Sequence, residues 1–165
     1  MDTTHAIRLS KVALVFFAGA WAALVTFGNI TDPMSNYRFV EHVLAMDTTF
    51  GSDALMGRAL ESPVYAKLAF GLIVLSEAFM AVSCLFGSAR LFLARKGTDT
   101  EFHGAKAPAI WGLLAGLSLF FFGFQVVGGE WFASWQSETW NGLDSASRST
   151  LFLFGSLIFL SLPND

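Results

Sequence analysis

The chain has 165 residues, 54% of them hydrophobic and only 14% charged, with 18 phenylalanines and a formal net charge of −3. Soluble domains carry about a quarter charged residues, so the composition points to lipid. A nearly neutral chain without a basic stripe also argues against nucleic-acid binding.

A helix needs about 20 apolar residues to cross the hydrocarbon core. The first such run spans about residues 11–30, KVALVFFAGAWAALVTFGNI. Arg8 and Lys11 before it and Ala18-Gly19-Ala20 within it suit a cleavable signal, but the apolar run continues to Ile30. That is longer than the usual signal core, so the run reads as an uncleaved anchor. An outer segment follows over 31–62. Asp32-Pro33 is an N-cap with proline in the first turn. In YRFVEHVLAM, helical spacing sets Phe39, Val40, Val43 and Leu44 on one face and Arg38, Glu41 and His42 on the other. This predicts an amphipathic helix lying on the membrane or capping a bundle. Ser52-Asp53 caps a second short helix expected to run through Leu60, and Ser62-Pro63 opens the second span, about 66–92.

The second span carries the only cysteine, Cys84, which reads as a small buried hydrophobe. Arg95 to Lys106 is read as a polar connector to the third span, about 107–131, whose Gly112-x-x-x-Gly116 allows close helix approach. Gly128-Gly129 is expected to loosen its last turn. GGEWFASWQSETWNG then places Trp131, Trp135 and Trp140 as an interfacial belt. A fourth span is drawn at about 146–163. The expected fold is therefore an all-α membrane protein: one integral domain over 1–165, a four-transmembrane-helix bundle with short amphipathic helices in the first outer loop.

With the N-terminus inside, Arg8, Lys11, Arg90, Arg95, Lys96 and Lys106 fall on the cytoplasmic side and most acidic residues outside. Both termini are thus expected in the cytoplasm.

Few residues could carry chemistry. Glu77, in LSEAF, sits near the middle of the second span, where a charged carboxylate costs about 2.5–3.5 kcal/mol on insertion scales. With no Lys or Arg at that depth, a protonated acid is expected to hydrogen-bond between helices. Matching depths in antiparallel spans names Trp21 and Ser118 as its partners. On the outer face, Glu41, His42, Asp47, Gln125, Glu130, Gln136, Trp131 and Trp135 form a second candidate group. His and carboxylates can ligate zinc or move protons, but Glu41 and His42 are adjacent and diverge on a helix. Ion pairing among Arg38, Glu41 and Arg58 explains these charges more simply. No metal and no cofactor are expected. His5, His42 and His103 all lie outside the apolar runs, which leaves haem without axial ligands. Phosphate-binding loops and nucleophile elbows are likewise lacking.

The strings DPMSNYRFVEHVLAMDTTF, SEAFMAVSCLFGSARL and GFQVVGGEWFASWQSETWNG resemble a bacterial family of predicted small integral membrane proteins, domain of unknown function 2165. The resemblance runs from about Leu9 to Asp165. It implies a four-span protein of the bacterial inner membrane and carries over no functional residue. The leading expectation is a non-catalytic accessory, assembly or stabilising subunit of a larger complex, its partners the lipid bilayer and another membrane protein or a second copy. Phe16-Phe17 and Phe120-Phe121-Phe122 cannot all face inward, which suits a partner and lipid equally well. A small transporter or proton or cation relay centred on Glu77 comes second. A membrane enzyme or ligand receptor using a Trp-rich outer cup comes third.

Overall fold

The computed structural model describes residues 3–163. Residues 1–2 and 164–165, and with them the termini expected in the cytoplasm, lie outside the described residues.

Among the described residues the structure is all-helical. In chain order it comprises α1 (Thr3–Thr31), α2 (Pro33–Ala45), α3 (Asp53–Met56), α4 (Pro63–Ala94), α5 (Asp99–Gly104), α6 (Ala107–Leu117), a π-helical segment (Ser118–Trp131), a 3₁₀ turn (Ser134–Gln136) and α7 (Leu143–Ser161). Proline sets the first turns of α2, α4 and α6, where its missing N–H costs nothing. The Val64 N–H donates to Ser62 Oγ to cap α4. Thr98 and Glu101 form a reciprocal capping box on α5.

Three stretches are long and apolar enough to cross a membrane: Thr3–Thr31, Pro63–Ala94 and Asp99–Trp131. The α7 helix, with the polar first turns LDSASRST, is not among them. α3 stops at Met56 rather than reaching Leu60. Its Ser52 N-cap makes no side-chain cap bond, and four residues are too few to sustain a helix without packing.

α1 and α4 share the most extensive interface, and α6 packs on α4 from another side. Small residues permit this. A Cβ on Gly87 would sit 2.6 Å from the Ala109 nitrogen, and one on Gly112 would sit 2.6 Å from Cys84 Sγ. Gly112-x-x-x-Gly116 therefore serves packing inside the bundle, against Cys84 and Met80 of α4. The core that results joins Val15, Ala18 and Ala22 of α1 to Met80, Cys84 and Leu91 of α4, with Leu113 and Leu153 closing it.

The helices are offset along the bundle. Asn29, near the end of α1, meets Glu77 of α4, so α4 runs roughly 20 Å past α1 at 1.5 Å per residue. α2 covers that overhang, burying Val40 and setting Tyr37 against Phe70 at 6.1 Å.

The two outer segments are knitted together at the α2 end. Met46 closes α2 in a left-handed conformation, and its side chain is buried with Phe132 and Ala133. Thr48 Oγ1 lies 2.7 Å from Ser137 Oγ, and the Phe50 N–H donates to Gln136 Oε1 at 2.9 Å. The MDTTF and GEWF strings thus meet in one cap.

The connector between α4 and α6 is also structured. Phe102 of α5 is fully buried, and Arg8 of α1 reaches across to donate to Arg95 O and Gly97 O and to pair with Asp99. Beside it, buried Lys11 and Lys106 both donate to Leu162 O, at 2.6 and 3.0 Å. Cations are favourable at a helix C-terminus, here that of α7.

At Ser118 the helix bonding widens from α to π and stays so to Trp131, ending with the Phe132 N–H on Val127 O at 3.0 Å. The loosening expected only at Gly128-Gly129 thus begins ten residues earlier. Runs this long are rare, and π geometry often marks functional positions. Here it turns Gln125 toward α7, where its amide donates to Thr150 Oγ1 at 2.7 Å and accepts from Ser147 Oγ at 3.2 Å.

Candidate functional site

Glu77 is 4% exposed. Its Oε2 accepts from Asn29 Nδ2 at 2.7 Å, and Asn29 Oδ1 in turn accepts from Asn36 Nδ2 at 2.5 Å. This chain of two amides leads from α4 through the end of α1 to Asn36 on α2, which is exposed. It replaces the partners expected from depth. Trp21 makes no hydrogen bond to Glu77 and instead packs its ring 5.1 Å from Phe120. Ser118 is exposed and donates to Leu114 O of its own helix. The depth match slipped because α4 overhangs α1, which sets Asn29 rather than Trp21 at the level of the carboxylate.

Two cavities flank this part of α4. The larger, about 620 Å³, lies between α4 and the π segment under α2. Its wall includes Ser76 and Ser118, but both hydroxyls are spent on their own helices, at Leu72 O and Leu114 O. Apart from Ser134 at the cap end, the rest of its side-chain lining is apolar. Leu72, Leu75, Phe79 and Phe122 stand at its exposed rim, and Ala69, Ala115, Gly123 and Gly128 leave its floor open. The smaller cavity, about 330 Å³, lies among α1, α4, the π segment and α7. Glu77, Asn29 and Asn36 line it together with Trp21, Phe120 and Phe124. Ser118 therefore sits in the groove and Glu77 in the chamber, although the two are close in level.

The outer-face residues do not converge. His42 stacks on Trp140, with centroids 4.5 Å apart, and its Nδ1 lies 2.6 Å from Asp47 Oδ2. Glu41 accepts from the Tyr37 hydroxyl at 3.0 Å. Desolvation, reinforced by that carboxylate, pushes the Tyr37 phenol above its ordinary range. Gln125 turns inward to α7, whereas Glu130 is exposed. Trp131 carries the Arg58 guanidinium over its ring at 4.8 Å, and Trp135 packs edge-on against Phe50 at 5.9 Å. Among the described residues Arg38, Glu41 and Arg58 form no ion pair with one another, because Glu41 is taken by Tyr37 and Arg58 by Trp131. The tryptophans brace the cap with partners from the first outer segment instead of enclosing a cup.

Sequence reasoning missed Asn29 and Asn36, and with them the buried end of Arg8. An asparagine at the margin of an apolar run looks like its end. Only its spacing from Asn36, seven residues on across a proline-started helix, hinted that the two amides could meet.

No characterised protein and no solved structure matches this chain significantly. A family model matches residues 7–163, and its description agrees with the membrane-length apolar helices. The chain belongs to the family described as predicted small integral membrane protein (DUF2165).

Proposed function

We propose that this is a non-catalytic, four-span protein of the bacterial inner membrane that serves as an accessory subunit, seating a partner's transmembrane helix in the groove between α4 and the π segment. The groove is the observation that carries this reading. Association in lipid draws on close van der Waals packing at small residues rather than on the hydrophobic effect. Ala69, Ala115, Gly123 and Gly128 supply that floor, and the leucine and phenylalanine rim supplies contact area. α7 makes the fourth crossing in this reading, its polar first turns lying at the interface. The scatter of Glu41, His42, Glu130 and Trp135 speaks against an outer catalytic or receptor cup. A relay through Glu77 ranks second. The Asn29–Asn36 chain supports it on one side, but Met80, Ala81 and Cys84 close the other side with apolar packing.

Site-specific cross-linking in native membranes tests the subunit reading. Cys84 is buried and leaves a quiet background. A photo-cross-linker on Leu75→Cys should capture one stoichiometric protein that the same probe on Leu93→Cys, also exposed on α4, does not reach. Gly123→Leu, which fills the floor, should abolish both capture and co-purification. A lone monomer in gentle detergent, with only lipid adducts at position 75, would sink the proposal.

A further inference from the structure

The chamber beside Glu77 holds hydrogen-bonding groups that the protein leaves unpaired. Its amide donors point along the chain: Asn36 Nδ2 gives to Asn29, and Asn29 Nδ2 gives to Glu77. Ser149 on the α7 wall spends its hydroxyl on Ser145 O. Glu77 Oε1 and Asn36 Oδ1, both acceptors, have no hydrogen-bond partner among the described residues, nor do the Trp21 indole N–H and the Ser145 hydroxyl. No Lys, Arg or His lines the space. A nearly buried carboxylate is thus held without a protein cation, and a bound ammonium would let it carry its charge in place of the protonated form expected of an unpaired acid.

Five aromatic rings share the remaining walls with Val25, Val40, Ile73, Gly142 and Ala146. Trp21 and Phe120 lie 5.1 Å apart, Phe120 and Phe124 stack at 5.8 Å, and Phe39 continues the series 6.1 Å beyond Phe124. Phe70 adds a fifth ring from α4. Ring faces attract ammonium ions through their quadrupoles, most strongly where water is excluded. A volume of about 330 Å³ falls at the small end of the range for ligand sites, about 300–1,000 Å³. Ser145, exposed on α7, marks the side from which the chamber can be entered.

We infer that this chamber is a binding site for a small organic ammonium ion with an apolar body, its nitrogen on Glu77 and Asn36 and its body among the aromatic rings. A metal ion suits the chamber poorly, because hard cations want several oxygens and Glu77 is the one carboxylate in a wall that is mostly apolar. The site adjoins the groove across a wall that includes Phe39, Val40, Ile73 and Phe124, and it does not depend on a partner occupying that groove.

Calorimetric titration of the full chain in neutral-detergent micelles tests this, with empty micelles subtracted for partitioning. The probes are phenethylammonium and its uncharged counterpart 2-phenylethanol. The ammonium should bind at least about tenfold more tightly, the scale expected of an ion pair and ring faces acting together out of water. Glu77→Gln, which can still accept from Asn29, should remove that preference and leave 2-phenylethanol unchanged. Phe120→Leu, a second variant should the first misfold, should cut the preference severalfold while sparing the alcohol. Equal affinity for the two probes, or a preference that survives both substitutions, overturns the inference.

Discussion

Arg8 shows what a single side chain does here beyond flanking a span. It is 5% exposed, donates to two carbonyls of the α4–α5 turn, pairs with Asp99 and stacks over Phe102 at 5.0 Å. Bonds from a charged donor each contribute about 1.5–3 kcal/mol, more than neutral ones. Arg8→Met should therefore lower stability by about 3 kcal/mol. Asp99, whose side chain is 76% exposed, should matter far less: Asp99→Asn is expected to cost under about 1 kcal/mol, as solvent-screened pairs do. Melting midpoints in one detergent check both, and equal losses would mean that the ion pair rather than the carbonyls holds the turn. Arg8 and Lys11 were legible as a basic flank from the sequence. That they lock the turn and the end of α7 was not, because a carbonyl acceptor leaves no mark on the residue that provides it.

Among the elements, the α4–α6 contact and the π segment depend on opposite properties of glycine. At Gly87 the absent Cβ lets two helix backbones touch, and Gly87→Ala should force them apart at a cost of about 1–3 kcal/mol, the range for overpacked cores. Gly155→Ala, with nothing within 4 Å of the new atom, is the control and should be neutral or slightly stabilising, since alanine favours helix. Thermal unfolding of the pair decides it, and a neutral Gly87→Ala would show that the α4–α6 contact yields easily. In the π segment the glycines instead leave the helix weakly committed to α geometry, and the Gln125 bonds to Thr150 and Ser147 tie the wider form to α7. The spans themselves were readable from apolar length. The change at Ser118 was not, because α and π helices are built from the same residues and differ only in which carbonyl a distant contact leaves for each N–H.

For the whole molecule, the proposed threading puts the α2–α3 cap outside and the α5 turn inside. Asp53 and Lys96 are both exposed and lie at these opposite ends. An impermeant maleimide applied to intact cells should label Asp53→Cys and leave Lys96→Cys unlabelled until the membrane is opened. The reverse pattern would invert the threading, and labelling of both from outside would break the four-span reading. Apolar run length and composition by themselves determined that this chain is helical and belongs in a membrane, because the cost of exposing backbone to lipid leaves few alternatives. Glu77 was likewise visible in the sequence as a carboxylate out of place. Only the tertiary structure decided its neighbours, its chamber and the separate groove beside it. Those depend on how far one helix slides past another, and that offset is fixed by packing at Gly19, Gly87 and Gly112 and not by the hydropathy of either helix.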